Sequence, residues 1–189
     1  MKETIKRNTA VLTLLVLTVL ILASIIYLCK TEQPLQNKVE QKIFLPKASM
    51  SSLKDNSKEL TLEHISLLLD QVNRFNVKIY LQANSVQNLD KGIYSYNNQS
   101  LTKVSNKLSN KLSAPLSLFI TSNQELKDIN KDSVKETLIT AGKVEQTISM
   151  QAANLNLSIQ AITRFNEKDI LKLNIKEFPL LIIDIAKPS

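Results

Sequence analysis

An apolar run near the start of the chain constrains it most. From Ala10 to Cys29 the sequence AVLTLLVLTVLILASIIYLC contains no charged side chain. As a helix rising 1.5 Å per residue it spans about 30 Å, the thickness of a bilayer's hydrocarbon core. Tyr27 falls near one interface, where an amphipathic ring is favoured. The rival reading is a cleaved signal peptide whose charged region is Lys2, Lys6 and Arg7. Signal peptides have shorter apolar runs and small residues before the cut, whereas Ile26, Tyr27 and Leu28 precede Cys29 here. An uncleaved anchor is therefore preferred, with the lipid bilayer contacting residues 10–29. Lys6 and Arg7 flank one end, and Lys30, Lys38, Lys42 and Lys47 follow the other. The positive-inside rule is nearly balanced, and the tight N-terminal pair tips it towards an extracytoplasmic soluble part.

At 189 residues the chain has room for one further domain. A hydrophobic share of 43% and a charged share of 22% argue against disorder. Two glycines exclude a glycine-rich phosphate loop. One His and one Cys exclude a Cys/His zinc site and an internal disulfide. Cys29 sits at the membrane edge, so a Cys–His nucleophile pair is not expected either. The net charge of +7 raises the question of nucleic acid. Arg occurs only at Arg7, Arg74 and Arg164, however; the Lys residues are spread along the chain and there is no Trp. No nucleic-acid partner is expected.

Residues 1–9 read as a basic tail, 10–29 as the anchor, 30–46 as a tether with Pro34 and Pro46, and 47–189 as the domain. Thr61 caps a helix with Leu62, Ile65, Leu68, Leu69 and Val72 at helical spacing; His64, in its first turn, reads as a surface residue. Val77–Ala83 alternates as a strand. Asp90-Lys91-Gly92 and Asn97-Asn98 are turns framing a meander through GIYSY and SLTKVS. Residues 115–121, PLSLFIT, read as a buried strand. A long helix is expected from about Asp132 to Asn156, with Val134, Leu138, Val144, Ile148, Ala152 and Leu155 on its inner side. Strands at 158–163 and 178–186 flank a short helix at 167–173, and the last strand, apolar on both faces, should be central. This order gives an α+β domain. Asp184 is the odd polar group in that strand, expected to pair with a Lys or Arg164 or to meet a subunit contact.

Three segments resemble the nitroreductase superfamily, specifically its SagB-type or thiazole-oxidase-type dehydrogenase branch. They are KIFLPKASMSSL with LTLEHISLLL (42–53 and 60–69), KIYLQANSVQNLDKGIYSYNNQSLTKVS (78–105), and AGKVEQTISMQAANLNLSIQAITRF with DILKLNIKEFPLLIIDIAKP (141–165 and 169–188). Gly92, Tyr94, Tyr96 and Leu101 fall on signature positions of the second segment; Ala141, Gly142, Gln146, Ala152, Ala153, Leu155, Leu157 and Phe165 do so in the third. The resemblance implies an α+β nitroreductase-like mixed sheet with flanking helices behind the transmembrane helix. It also implies FMN at a dimer interface, and hydride transfer between a nicotinamide and a substrate. The positions matching the family's flavin contacts are Thr163, Arg164 and Lys187.

Carried over residue by residue, the flavin site is depleted. The family's R-x-S-x-R phosphate grip has only Lys54 and Lys58 to answer it. Its P-S-x-G segment is missing, since Asp70 runs directly on to Val77. Arg164 stands where the family keeps a glycine beside the flavin ring, and Ala186-Lys187-Pro188 replaces Gly-Lys-Pro. The expected function is a membrane-anchored, non-catalytic interaction or assembly subunit, a homodimer or a heterodimer with a related subunit, with no cofactor. The alternative is an FMN-dependent oxidoreductase, acting on a small molecule or modified peptide, whose partner supplies part of the flavin site. No catalytic and no metal-binding residue is assigned. Tyr94 and Tyr96 read as cross-strand packing, and Gln146 as the best candidate for a retained functional polar group.

Overall fold

The structure, a computed structural model, describes residues 42–49, 59–125 and 131–188. The anchor, residues 10–29, and Lys54 and Lys58 lie outside the described residues. Among the described residues no helix is long and apolar enough to cross a membrane. One compact unit runs from Glu40 to Ser189.

Its strands are β1 (Lys42–Phe44), β2 (Lys78–Ala83), β3 (Gly92–Asn97), β4 (Ser100–Ser105), β5 (Leu116–Glu125), β6 (Ser158–Ile162) and β7 (Glu177–Ala186). Its helices are α1 (Leu62–Leu69), α2 (Lys131–Asn154) and α3 (Glu167–Leu171), with a 3-10 turn at Val72–Arg74. The strands form one sheet in the order β1-β4-β3-β2-β5-β7-β6. Each neighbouring pair is antiparallel, so the sheet is not mixed as expected. Part of the reason is connectivity: β2–β3 and β3–β4 are neighbours joined by short loops without a helical crossover, and such links make antiparallel pairs. β1 falls within the stretch read as tether; three residues are too short to carry a strand signal, yet Ile43 pairs with Leu101.

β5 and β7 are inner strands buried on both faces; β7, expected to be central, lies second from the edge, with β6 outside it. Alternation sends Leu116, Leu118, Ile120, Ile183 and Ile185 to one face, where they join Ile65, Leu68 and Leu69 of α1 and Val144, Ile148 and Ala152 of α2. Phe119 and Ile182 point to the other face, into a smaller cluster with Ile93, Leu112, Ile170, Leu173 and Ile175. Helix α2 has its inner stripe at Ala141, Val144, Ile148 and Ala152, three or four residues apart. Leu138, expected on that stripe, is 51% exposed, because it is rotated off the axis those four residues define.

His64 corrects a second expectation: it is buried. Thr61 caps α1, and its N–H donates to His64 Nδ1 at 3.2 Å while its Oγ1 lies 2.9 Å from the same nitrogen. The imidazole closes a capping box in the place that Glu or Gln usually takes. Tyr94 and Tyr96 pack across strands as expected, pairing with Leu81 and Lys103, and with Ile79 and Leu101. The Tyr94 hydroxyl donates to Asp90 O at 2.8 Å. Burial, and then the charge of Asp90, push its phenol up to about 12.

Gly92 owes its identity to close approach at the β3–β4 bulge. A Cβ there would sit 2.9 Å from the Ser105 carbonyl oxygen and 2.5 Å from Lys103 Cε. The lysine can swing away; the backbone cannot. Gly92→Ala should therefore lower stability by about 1–3 kcal/mol without changing the fold, measured by denaturant unfolding.

Candidate functional site

The candidate site lies on the sheet face away from α1 and α2. Residues 106–115 cross this face as a loop, and two side chains of β2 and its exit hold it there. Gln82, fully buried, accepts from Ser109 N–H at 2.8 Å and donates to Leu112 O at 3.2 Å and Ser109 O at 3.3 Å. Asn84 donates to Leu112 O at 2.9 Å and Ala114 O at 2.7 Å. A loop over an apolar face would otherwise bury unpaired carbonyls, and these amides satisfy them. Sequence reading passed over Gln82 and Asn84. The available signal was two amides alternating at the end of an otherwise apolar strand.

The pinned loop lets Leu112 drop into the smaller core cluster and forms one wall of a recess of about 510 Å³. Its other walls are Ile162, Ile182, Phe165 and Ile170, and Arg164 stands on its rim. Lys111 and Asp169 also line it. Lys111 Nζ lies 2.7 Å from Asp169 Oδ2, and Lys172 Nζ lies 3.0 Å from Oδ1. These two lysines hold the Asp169 carboxyl below its usual range. Arg164 is exposed on the loop after β6 and has no hydrogen bond or ion pair among the described residues.

The structure keeps the expected site residues apart. Thr163 and Arg164 follow β6, both exposed; Lys187 follows β7 and is half-buried. In the β6–β7 register Ser158 faces Ala186 and Ile162 faces Ile182, so Lys187 and Arg164 lie beyond opposite ends of the pair. Roughly 20 Å of strand separates them. Asp184 is half-buried and accepts from Ser117 Oγ at 2.5 Å; a hydroxyl, not a lysine or Arg164, is its partner. Gln146 is exposed on α2.

A second recess, of about 410 Å³, opens at the end of β2 and β3 and is lined by Asn73, Phe75, Lys78, Tyr80, Tyr96 and Asn123 among others. Beside it Glu177 is buried and accepts from Lys78 Nζ at 2.5 Å and Tyr80 OH at 2.7 Å. Burial opposes ionisation of Glu177, but Lys78 and Tyr80 outweigh it and hold the carboxyl below its ordinary 4.5. Burial and the glutamate push the Tyr80 phenol up.

FMN is the cofactor that the resemblance implies, and these residues do not fit it. A flavin phosphate is suited by converging cationic forks, and the ring edge by backbone without a Cβ. Of the two described arginines, Arg74 lies over the Phe75 ring at 5.0 Å and Arg164 stands alone after β6. Among the described residues no buried side-chain nitrogen or oxygen is left without a partner. No group of three or more His, Cys, Asp or Glu among them could hold a metal ion.

No family model matches the sequence, and no curated protein is significantly similar to it. Solved structures are. A protein described as a nitroreductase, from Anabaena variabilis, is 20% identical with a TM-score of 0.60, over 71% of this chain and 35% of that one. The chain thus spans about a third of that protein's length. Another, from Ralstonia eutropha, is 18% identical with a TM-score of 0.60, over 80% of this chain and 91% of its own. A chain of the E. coli microcin synthetase McbBCD complex with truncated pro-MccB17 bound is 16% identical with a TM-score of 0.57, over 75% of this chain and 73% of its own. The chain has a nitroreductase-like fold.

Two outcomes check this geometry. Gln82→Ala leaves Leu112 O with one amide donor fewer and frees Ser109 N–H, so it should cost about 2–3 kcal/mol and raise hydrogen exchange across residues 106–115. The Glu177 carboxyl is depressed in the folded state, so its contribution is present above the ordinary carboxyl range and lost as pH falls through the folded value. Glu177→Gln should accordingly destabilise the protein more at pH 7 than at about pH 3, as read from denaturation midpoints at both.

Proposed function

We propose that this protein is a membrane-anchored, non-catalytic subunit that keeps a nitroreductase-like fold without its flavin and works by binding a protein partner. One observation carries the reading. Where the resemblance calls for bare glycine backbone, the loop after β6 presents Arg164, an exposed side chain over an apolar recess. A guanidinium there occupies volume that a flavin ring edge needs.

Two further features support it. The face of α2 opposite its buried stripe exposes Ile139 and Met150, 52% and 63% open, and nothing lies within 4 Å of where a Gly142 Cβ would be. An open helix face bearing large apolar side chains is suited to a partner surface, either a second copy or a related subunit. The microcin synthetase chain with this fold is itself part of a multi-protein complex. Residues 10–29 supply the anchor, 30–46 the tether and 47–189 the domain, facing away from the cytoplasm. Protease added to intact cells should then cleave the domain but spare residues 1–9.

That synthetase complex also favours a second reading, in which a related subunit completes a flavin site in trans. FMN titration separates the two. Losing two charge-assisted phosphate contacts, each about 1.5–3 kcal/mol, weakens a micromolar affinity by about two to four decades, to about 0.1 mM or weaker. The full chain alone should therefore leave flavin absorbance and fluorescence essentially unchanged at about 5 µM FMN, and Arg164→Gly should not restore uptake. Stoichiometric yellow protein from either would defeat the non-catalytic reading. Flavin uptake that needs an added related subunit would establish the second.

A further inference from the structure

The recess beneath Arg164 has a chemistry of its own, independent of whether a partner docks on α2. We propose that it binds a small molecule with an apolar body and a single carboxylate, the carboxylate being taken by the Arg164 guanidinium. The body is specified by the walls: Leu112, Ile162, Phe165, Ile170 and Ile182 make a space of about 510 Å³ mainly apolar, with Ser109 and Asn166 also lining it. That size lies within the range of small-molecule pockets, about 300–1,000 Å³.

The head is specified by charge. Lys111 is committed to Asp169 at 2.7 Å, and Lys172 to the same carboxylate at 3.0 Å. Arg164 is the lining cation with no partner among the described residues. Its planar fork matches a planar carboxylate with two parallel hydrogen bonds. A phosphate ester suits the place less well. Its extra oxygens would want a second cation free to donate, and Lys111 and Lys172 are both engaged by Asp169. One planar fork is free here, and it matches one carboxylate.

The test uses the full chain in discs of zwitterionic lipid, titrated calorimetrically with 4-phenylbutyrate, empty discs being subtracted. Saturable binding is expected, weakened about tenfold or more by Arg164→Gln and less by Arg164→Lys. The neutral analogue 4-phenylbutanol should bind more weakly than the acid and respond little to Arg164→Gln. Arg164 is an exposed loop residue, so both variants should retain the wild-type circular dichroism. Equal affinity of the wild type and Arg164→Gln for the acid would overturn the proposal. So would tighter binding of 4-phenylbutyl phosphate than of 4-phenylbutyrate, or no saturable binding by the folded wild type.

Discussion

A sheet that is apolar on both faces has to be covered on both, and in this fold the two covers differ in kind. Leu118 and Ile183 lie beneath α1 and α2, as ordinary helix-on-sheet packing provides. Phe119 and Ile182, one residue along on the same strands, lie beneath a loop and a helix of five residues. A short helix and a loop bring little apolar surface of their own. The loop is therefore fixed by hydrogen bonds, with the amides of Gln82 and Asn84 standing in for the ladder that a strand would supply. Both recess and smaller core exist because β2 ends in those two amides.

This asymmetry also decides what sequence alone could reveal. Features resting on periodicity came through: the reach of α2 to within two residues at each end, the β3–β4 hairpin, and β7 as an inner strand apolar on both faces. Features resting on a single polar contact did not. His64 reads as a surface residue because imidazole is seldom the closing member of a capping box, yet it is buried there. Leu138 fits a helical stripe by spacing but is rotated to the flank of the stripe that meets the core and is half exposed. Asp184 looks like half of an ion pair and is answered by Ser117 from the neighbouring strand. Each outcome depends on which residue a second strand or loop brings opposite, and that is set by register, not by local pattern.

The same limit applies to the candidate site. Thr163, Arg164 and Lys187 were singled out by matching motifs along the chain, where they fall close to segments that cooperate in flavin proteins. The β6–β7 pairing sends Lys187 one way and Arg164 the other. What surrounds Arg164 is the loop after β4, which lies outside the matching segments, and the side chains of α3. A site residue can be located by sequence while its neighbours, and so its chemistry, cannot.

The proposed loss of the flavin requires that such a fold stand on contacts within the chain. A domain built around a bound group depends on it when removal exposes unpaired polar atoms or an unfilled core. In this domain the buried side-chain polar atoms among the described residues are all partnered from within the chain: Gln82 by the loop, Ser117 by Asp184, Glu177 by Lys78 and Tyr80. The central strands are covered on both faces by the chain itself. Stability on these terms comes from apolar burial and satisfied amides, neither of which calls on a flavin. On the proposed reading, the loop after β6 has no need for glycine. A large cation can then stand there at no cost to packing, since Arg164 is exposed and the recess it lines is walled by other side chains.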